Sequence, residues 1–130
     1  MLFQAVIFMN LALIFYTWAV FSARKQGLLR KHLLIFGAGL ICDYLGTHLM
    51  FLYGLATGYV PEMHTLTGLG SLYGMAFHFM LALSASLIRR AEAVNRLFHR
   101  VSLTIYTGWV IAFISGMVAG IHAAQRHGAQ

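Results

Sequence analysis

Four apolar runs dominate this chain and leave little freedom in how it can fold. They cover about 2–23, 33–55, 66–87 and 101–121. Each approaches the roughly 20 residues that an α-helix needs to cross the hydrocarbon of a bilayer. A membrane barrel would show ten-residue segments of alternating polarity, and these runs are continuous. The chain has 130 residues, of which 60% are hydrophobic and 9% charged. A soluble domain carries about 25% charged residues. With a mean hydropathy of +0.76, the apolar surface exceeds what a water-soluble core of this size can hide. The sequence therefore predicts an all-α integral membrane protein with a single domain over 1–130. Its helices should cover about 2–23, 33–55, 65–88 and 99–122. The connections between them are short, so consecutive helices should be antiparallel neighbours in an up-down four-helix bundle.

The charges suggest an orientation. Arg24, Lys25, Arg30 and Lys31 join the first two runs, and Arg89, Arg90, Arg96 and Arg100 join the last two. By the positive-inside rule both connections face the cytoplasm, which leaves the N- and C-termini outside it. The net charge of +6 thus points to topology and lipid head groups rather than to nucleic acid. The first run lacks a basic start and its positive charges follow it, so it reads as a retained helix and not a signal peptide. Cys42 is the lone cysteine, which excludes a CxxC redox pair and the quinone-linked thiol oxidases that use one.

Asp43 is one of three acidic residues and lies in the middle of the second run. A carboxylate at a membrane helix centre costs roughly 2.5–3.5 kcal/mol on insertion scales, so it normally has a partner or a task. With the second and third helices turning near residue 60, Asp43 falls level with His78. A hydrogen bond from one ring nitrogen of His78 to Asp43 would leave the other free for a metal, a haem iron or a proton. The alternative is a polar pair that only locks two helices together.

His64 and His78 are 14 residues apart on the third run. At about 100° and 1.5 Å per residue they share a face to within about 40° and stand about 21 Å apart. That spacing resembles the ligands of di-haem b-type membrane cytochromes, and the small residues Gly68, Ser71 and Gly74 lie near the same face. With a turn near residue 93, His64 is level with His122. No histidine of the fourth run is level with His78, and His48 lies about 7.5 Å too shallow. Glu62, His64 and His122 form a second candidate, a surface metal site with N and O ligands. His99 sits at the basic edge beside arginines.

Several segments are similar to a known family. Ile41-Cys42-Asp43-Tyr44-Leu45-Gly46-Thr47, His64-Thr65-Leu66-Thr67-Gly68, Phe77-His78 and Phe98-His99-Arg100-Val101-Ser102, with Ile114-Ser115-Gly116-Met117, resemble the HsmA family of small bacterial four-helix membrane proteins. The resemblance covers nearly the whole chain. It implies the four-helix architecture and the bacterial inner membrane, and it draws attention to Asp43, His64, His78 and His99. The family has no firmly established activity. His48 and His122 lie outside the matching segments.

Three functional readings follow. The first is a b-type haem protein that passes electrons, with a quinone as partner; if it is an enzyme, it is a haem-dependent membrane oxidoreductase. Its ligands would come from His64, His78, His122 and His48, with Asp43 behind them. The second is a proton-relay or transport module in which Asp43 and His78 titrate. Small multidrug exporters carry their carboxylate in the first helix, where this chain has Asn10, so that family is a poor fit. The third is a noncatalytic accessory subunit of a larger membrane complex. All three are compatible with a homodimer. A hydrolase is disfavoured because no serine or cysteine stands in a nucleophile setting.

Overall fold

Long apolar sequences with few breakers have one inexpensive way to satisfy their backbone in lipid, the helix. The computed structural model describes residues 1–58, 62–88 and 92–128. Its helices are α1 (Leu2–Gln26), α2 (Arg30–Thr57), α3 (Glu62–Leu87) and α4 (Glu92–Gly128). All four are long and apolar enough to cross a membrane. Each outruns its apolar run at one end or both, because a helix stops at backbone signals and not where hydropathy falls. α1 ends at Gly27 and α2 at Gly58, whose φ angles of 76° and 67° suit glycine and few other residues. Arg24 and Lys25 occupy the last turn of α1, where cations favour the helix dipole. α2 opens with the His32 Nδ1 accepting the Leu29 N–H at 3.1 Å, which caps the new helix.

The buried seams repeat at alternating steps of three and four residues. On α2 they are His32, Phe36, Gly39, Asp43 and Gly46. On α1, Ala5, Ala12 and Ala19 fall seven apart, as do Tyr16 and Ala23. Buried Phe98, Ser102, Trp109 and Ala112 continue the pattern on α4. This is the seam of helices packed knobs-into-holes at a shallow crossing angle. The seam is made of small, aromatic and polar residues, while many Leu and Ile side chains point outward. Leu34 and Phe3 are 77% and 76% exposed, whereas Asp43 and His78 are 2% and 0% exposed. An apolar outside around a partly polar inside is the arrangement a lipid environment favours.

The most extensive packing lies between α1 and α2, followed by α3 on α4; α2–α3 and α1–α4 contacts are sparser. Close approach within the first pair depends on two glycines. A Cβ at Gly39 would stand 2.8 Å from the Tyr16 ring, and one at Gly46 would stand 2.8 Å from Met9 and 3.3 Å from the Ala5 carbonyl. Tyr16 thus faces Gly39 and Met9 faces Gly46, so numbers fall along α1 as they rise along α2. Across the other seam, the Thr17 and Tyr106 hydroxyls hydrogen-bond at 2.7 Å.

Candidate functional site

The interior holds four buried polar side chains among the described residues: His32, Asp43, His78 and Ser102. Donors from three helices reach Asp43. Its Oδ2 accepts the Trp109 indole N–H at 2.8 Å and the Tyr16 hydroxyl at 3.1 Å. The Thr47 hydroxyl, one turn further along α2, reaches the same carboxyl group. Tyr16 and Trp109 also meet edge to face, with centroids 5.0 Å apart. One carboxylate therefore joins α1, α2 and α4.

His78 has the opposite character. Its ring lies between Phe36, at a centroid distance of 4.7 Å, and Phe98, at 5.1 Å. Both ring nitrogens are buried and have no hydrogen-bond partner in the protein. Each element contributes one wall: Phe36 from α2 and Phe98 from α4.

The expected Asp43–His78 hydrogen bond is not made. Phe36, seven residues before Asp43, stands beside His78, and Gly37 faces the Phe79 ring at 3.6 Å. Seven residues correspond to about 10 Å along a helix. The ends of the two helices, Thr57 and Glu62, are centred near residue 60 as expected, so the offset lies in how α3 packs on α2, an interface with few contacts.

A similar shift separates His64 from His122. The His64 ring packs on Gly116, where a Cβ would lie 2.8 Å from its Nε2. Gly74 likewise meets Ile105 at 3.7 Å. His122 therefore lies six residues, about 9 Å, past the position level with His64. α4 begins at Glu92, well before the expected start near 99, and this draws the hairpin register back. His122 is exposed, as is His48, which stacks on Tyr44 at 6.0 Å. His99 lends its backbone carbonyl to Arg24 at 3.2 Å and its ring to Phe98. The side chain of Glu62 lies outside the described residues, so the trio of Glu62, His64 and His122 is not described as a set. The shared face of His64 and His78 does appear, since both rings pack against α4.

These positions bear on a haem. His78 offers a free nitrogen, but aromatic rings lie against it, Phe36 from α2 and Phe98 from α4. His99, the residue after Phe98 on α4, packs its ring on Phe98. Among the described residues no three His, Cys, Asp or Glu side chains gather as a metal site. A porphyrin fits this packing poorly.

Tyr16 and Trp109 are the functional candidates that hydropathy alone does not expose. Trp109 reads as one more core aromatic. The usable signal is the seam: Tyr16 falls among alanines at seven-residue spacing, and Trp109 falls on the Phe98–Ser102 repeat. No family model, curated protein or solved structure matches this chain.

Proposed function

We propose that the chain is a proton-handling module of the bacterial inner membrane, built as an up-down four-helix bundle. Both basic connections lie on the cytoplasmic side and both termini outside it. The single observation that carries this reading is Asp43, a carboxyl group enclosed in an apolar-skinned bundle and held by a phenol and an indole. With Oδ2 committed to two donors, an added proton goes to Oδ1. Trp109 can only donate, so it holds the carboxyl group in the same orientation in both states. The resemblance to the HsmA family supports the architecture and the membrane. A chain this small completes a transmembrane pathway as a homodimer.

The test is proton flux into proteoliposomes under an imposed membrane potential, followed with an internal pH dye. Flux carried by the native chain and abolished in Asp43→Asn supports the reading. Flux indistinguishable from empty vesicles removes it and favours the accessory-subunit role.

A second reading rests on the free nitrogens of His78: an axial ligand for a b-type haem, passing electrons to or from a quinone. It requires Phe36 or Phe98 to move aside. An optical spectrum of the purified protein, oxidised and then reduced, decides it. A Soret band lost in His78→Ala would establish it, and a folded colourless protein would exclude it.

A further inference from the structure

The buried polar atoms that lack a protein partner are not scattered. His32 Nε2, His78 Nδ1 and Nε2, and Ser102 Oγ all lie between the basic end of the bundle and Asp43. Counted along α2 from that end, His32 stands ~3 Å in, Phe36 with His78 beside it ~9 Å and Asp43 ~20 Å, and Ser102 stands ~9 Å in along α4, at 1.5 Å per residue. They come from different helices, and aromatic rings one turn from His32 and from Ser102 pack on His78. Phe36, one turn after His32, packs on His78 and on Tyr16, with centroids 4.7 and 5.3 Å away. Phe98, one turn before Ser102, packs on the other side of His78. Tyr16 then donates to Asp43.

Beyond Asp43 the character changes. Towards the other end the seam consists of Gly46 against Met9 and Ala5, then Gly54. Among the described residues the one further unpartnered buried polar atom, His64 Nδ1, sits apart at the start of α3 against Gly116.

Buried polar groups without protein partners are normally satisfied by ordered water, which needs several polar partners close together. We propose that His32, Ser102 and His78 line a narrow hydrated half-path that enters from the basic end and stops at Asp43. The path rests on the proton-handling reading for its purpose: it would connect Asp43 with one side of the membrane only. Its existence is a separate physical matter.

Trp109 supplies the probe. Its indole proton is bonded to Asp43, so its exchange with solvent reports water reaching the end of the path. The chain has two tryptophans, and Trp18 lies exposed on the apolar exterior as a reference. Hydrogen–deuterium exchange of the two indole protons is followed by NMR on the full chain in bilayers. The half-path predicts measurable exchange at Trp109 in the native protein. It predicts slowing by about tenfold or more in His78→Phe and in Ser102→Val, which put apolar groups on the path. An indole proton fully protected in the native protein overturns the proposal, whatever the folding of the variants. So does exchange that stays equally fast in both folded variants. Exchange that follows the proposal in a protein without proton flux keeps the hydrated path and removes only the proton-handling reading.

Discussion

The Trp109 indole donates to Asp43 Oδ2 across 2.8 Å, so α4 is tied to α2 at a carboxyl group that α1 also reaches through Tyr16. This clasp sits where the two hairpins otherwise touch least, since α1–α4 packing is sparse beside α1–α2.

Removing one donor should therefore loosen the association of the hairpins. Trp109→Phe keeps most of the ring and deletes the N–H, and Tyr16→Phe deletes the hydroxyl. Each should cost roughly 0.5–2 kcal/mol, the range for polar contacts between membrane helices. Both donors serve one oxygen, so the double variant should depart from additivity. Unfolding in mixed detergent, followed by helical circular dichroism, measures all three.

Glycine tolerance should divide sharply by position. Gly39→Ala puts a Cβ against the Tyr16 ring and presses Tyr16 away from Asp43, with an expected cost of about 1–3 kcal/mol. Gly116→Ala should displace the His64 ring. At Gly108 and Gly120 nothing lies within 4 Å of an added Cβ, so alanine there should stay within about 0.5 kcal/mol of the native protein. The same unfolding assay separates the two classes.

His78 offers a contrast between stability and function. An imidazole buried without protein partners is held at a cost, and phenylalanine of similar shape fits between Phe36 and Phe98. His78→Phe should keep or raise the stability, by up to about 1 kcal/mol. On the proton-handling account it should still lose flux. Loss of folding with no route to rescue would mark His78 as a packing residue.

Orientation can be read by thiol labelling in intact cells on a Cys42→Ala background. Leu28→Cys, in the connection between α1 and α2, should resist a membrane-impermeant maleimide until the inner membrane is breached. Gln125→Cys, near the end of α4, should label once the reagent has access to the periplasm. The reverse pattern would contradict the cytoplasmic placement of the basic connections.

Much of the helical architecture is legible from hydropathy, because length and continuity leave few alternatives for each apolar run. The pairing of residues across helices is not legible in that way. Asp43 and His78 appear level from the position of the turn, yet α3 packs on α2 with His78 beside Phe36, about 10 Å along the helix from Asp43. His64 meets Gly116 instead of His122 for a different reason, the early start of α4 at Glu92. Helix termini respond to single glycines and caps, to which a hydropathy profile is blind. The partners of Asp43 were hidden for another reason. In lipid the outward faces are as apolar as the core, so the seam is marked by small and polar residues at 3.5-residue spacing, not by hydrophobic periodicity. Read for that signal, Tyr16 and Trp109 fall on the seams of α1 and α4.

Infrared difference spectroscopy of the protein in bilayers tests the central claim most directly, that Asp43 gains and loses a proton inside the membrane. The chain has three acidic residues, so a carboxyl band can be assigned by a single substitution. Between mildly acidic and mildly alkaline buffer, a protonated-carboxyl band should appear and vanish. It should be absent in Asp43→Asn and displaced in Trp109→Phe. No carboxyl change in the folded native protein, or a band that persists unaltered in Asp43→Asn, would contradict the account.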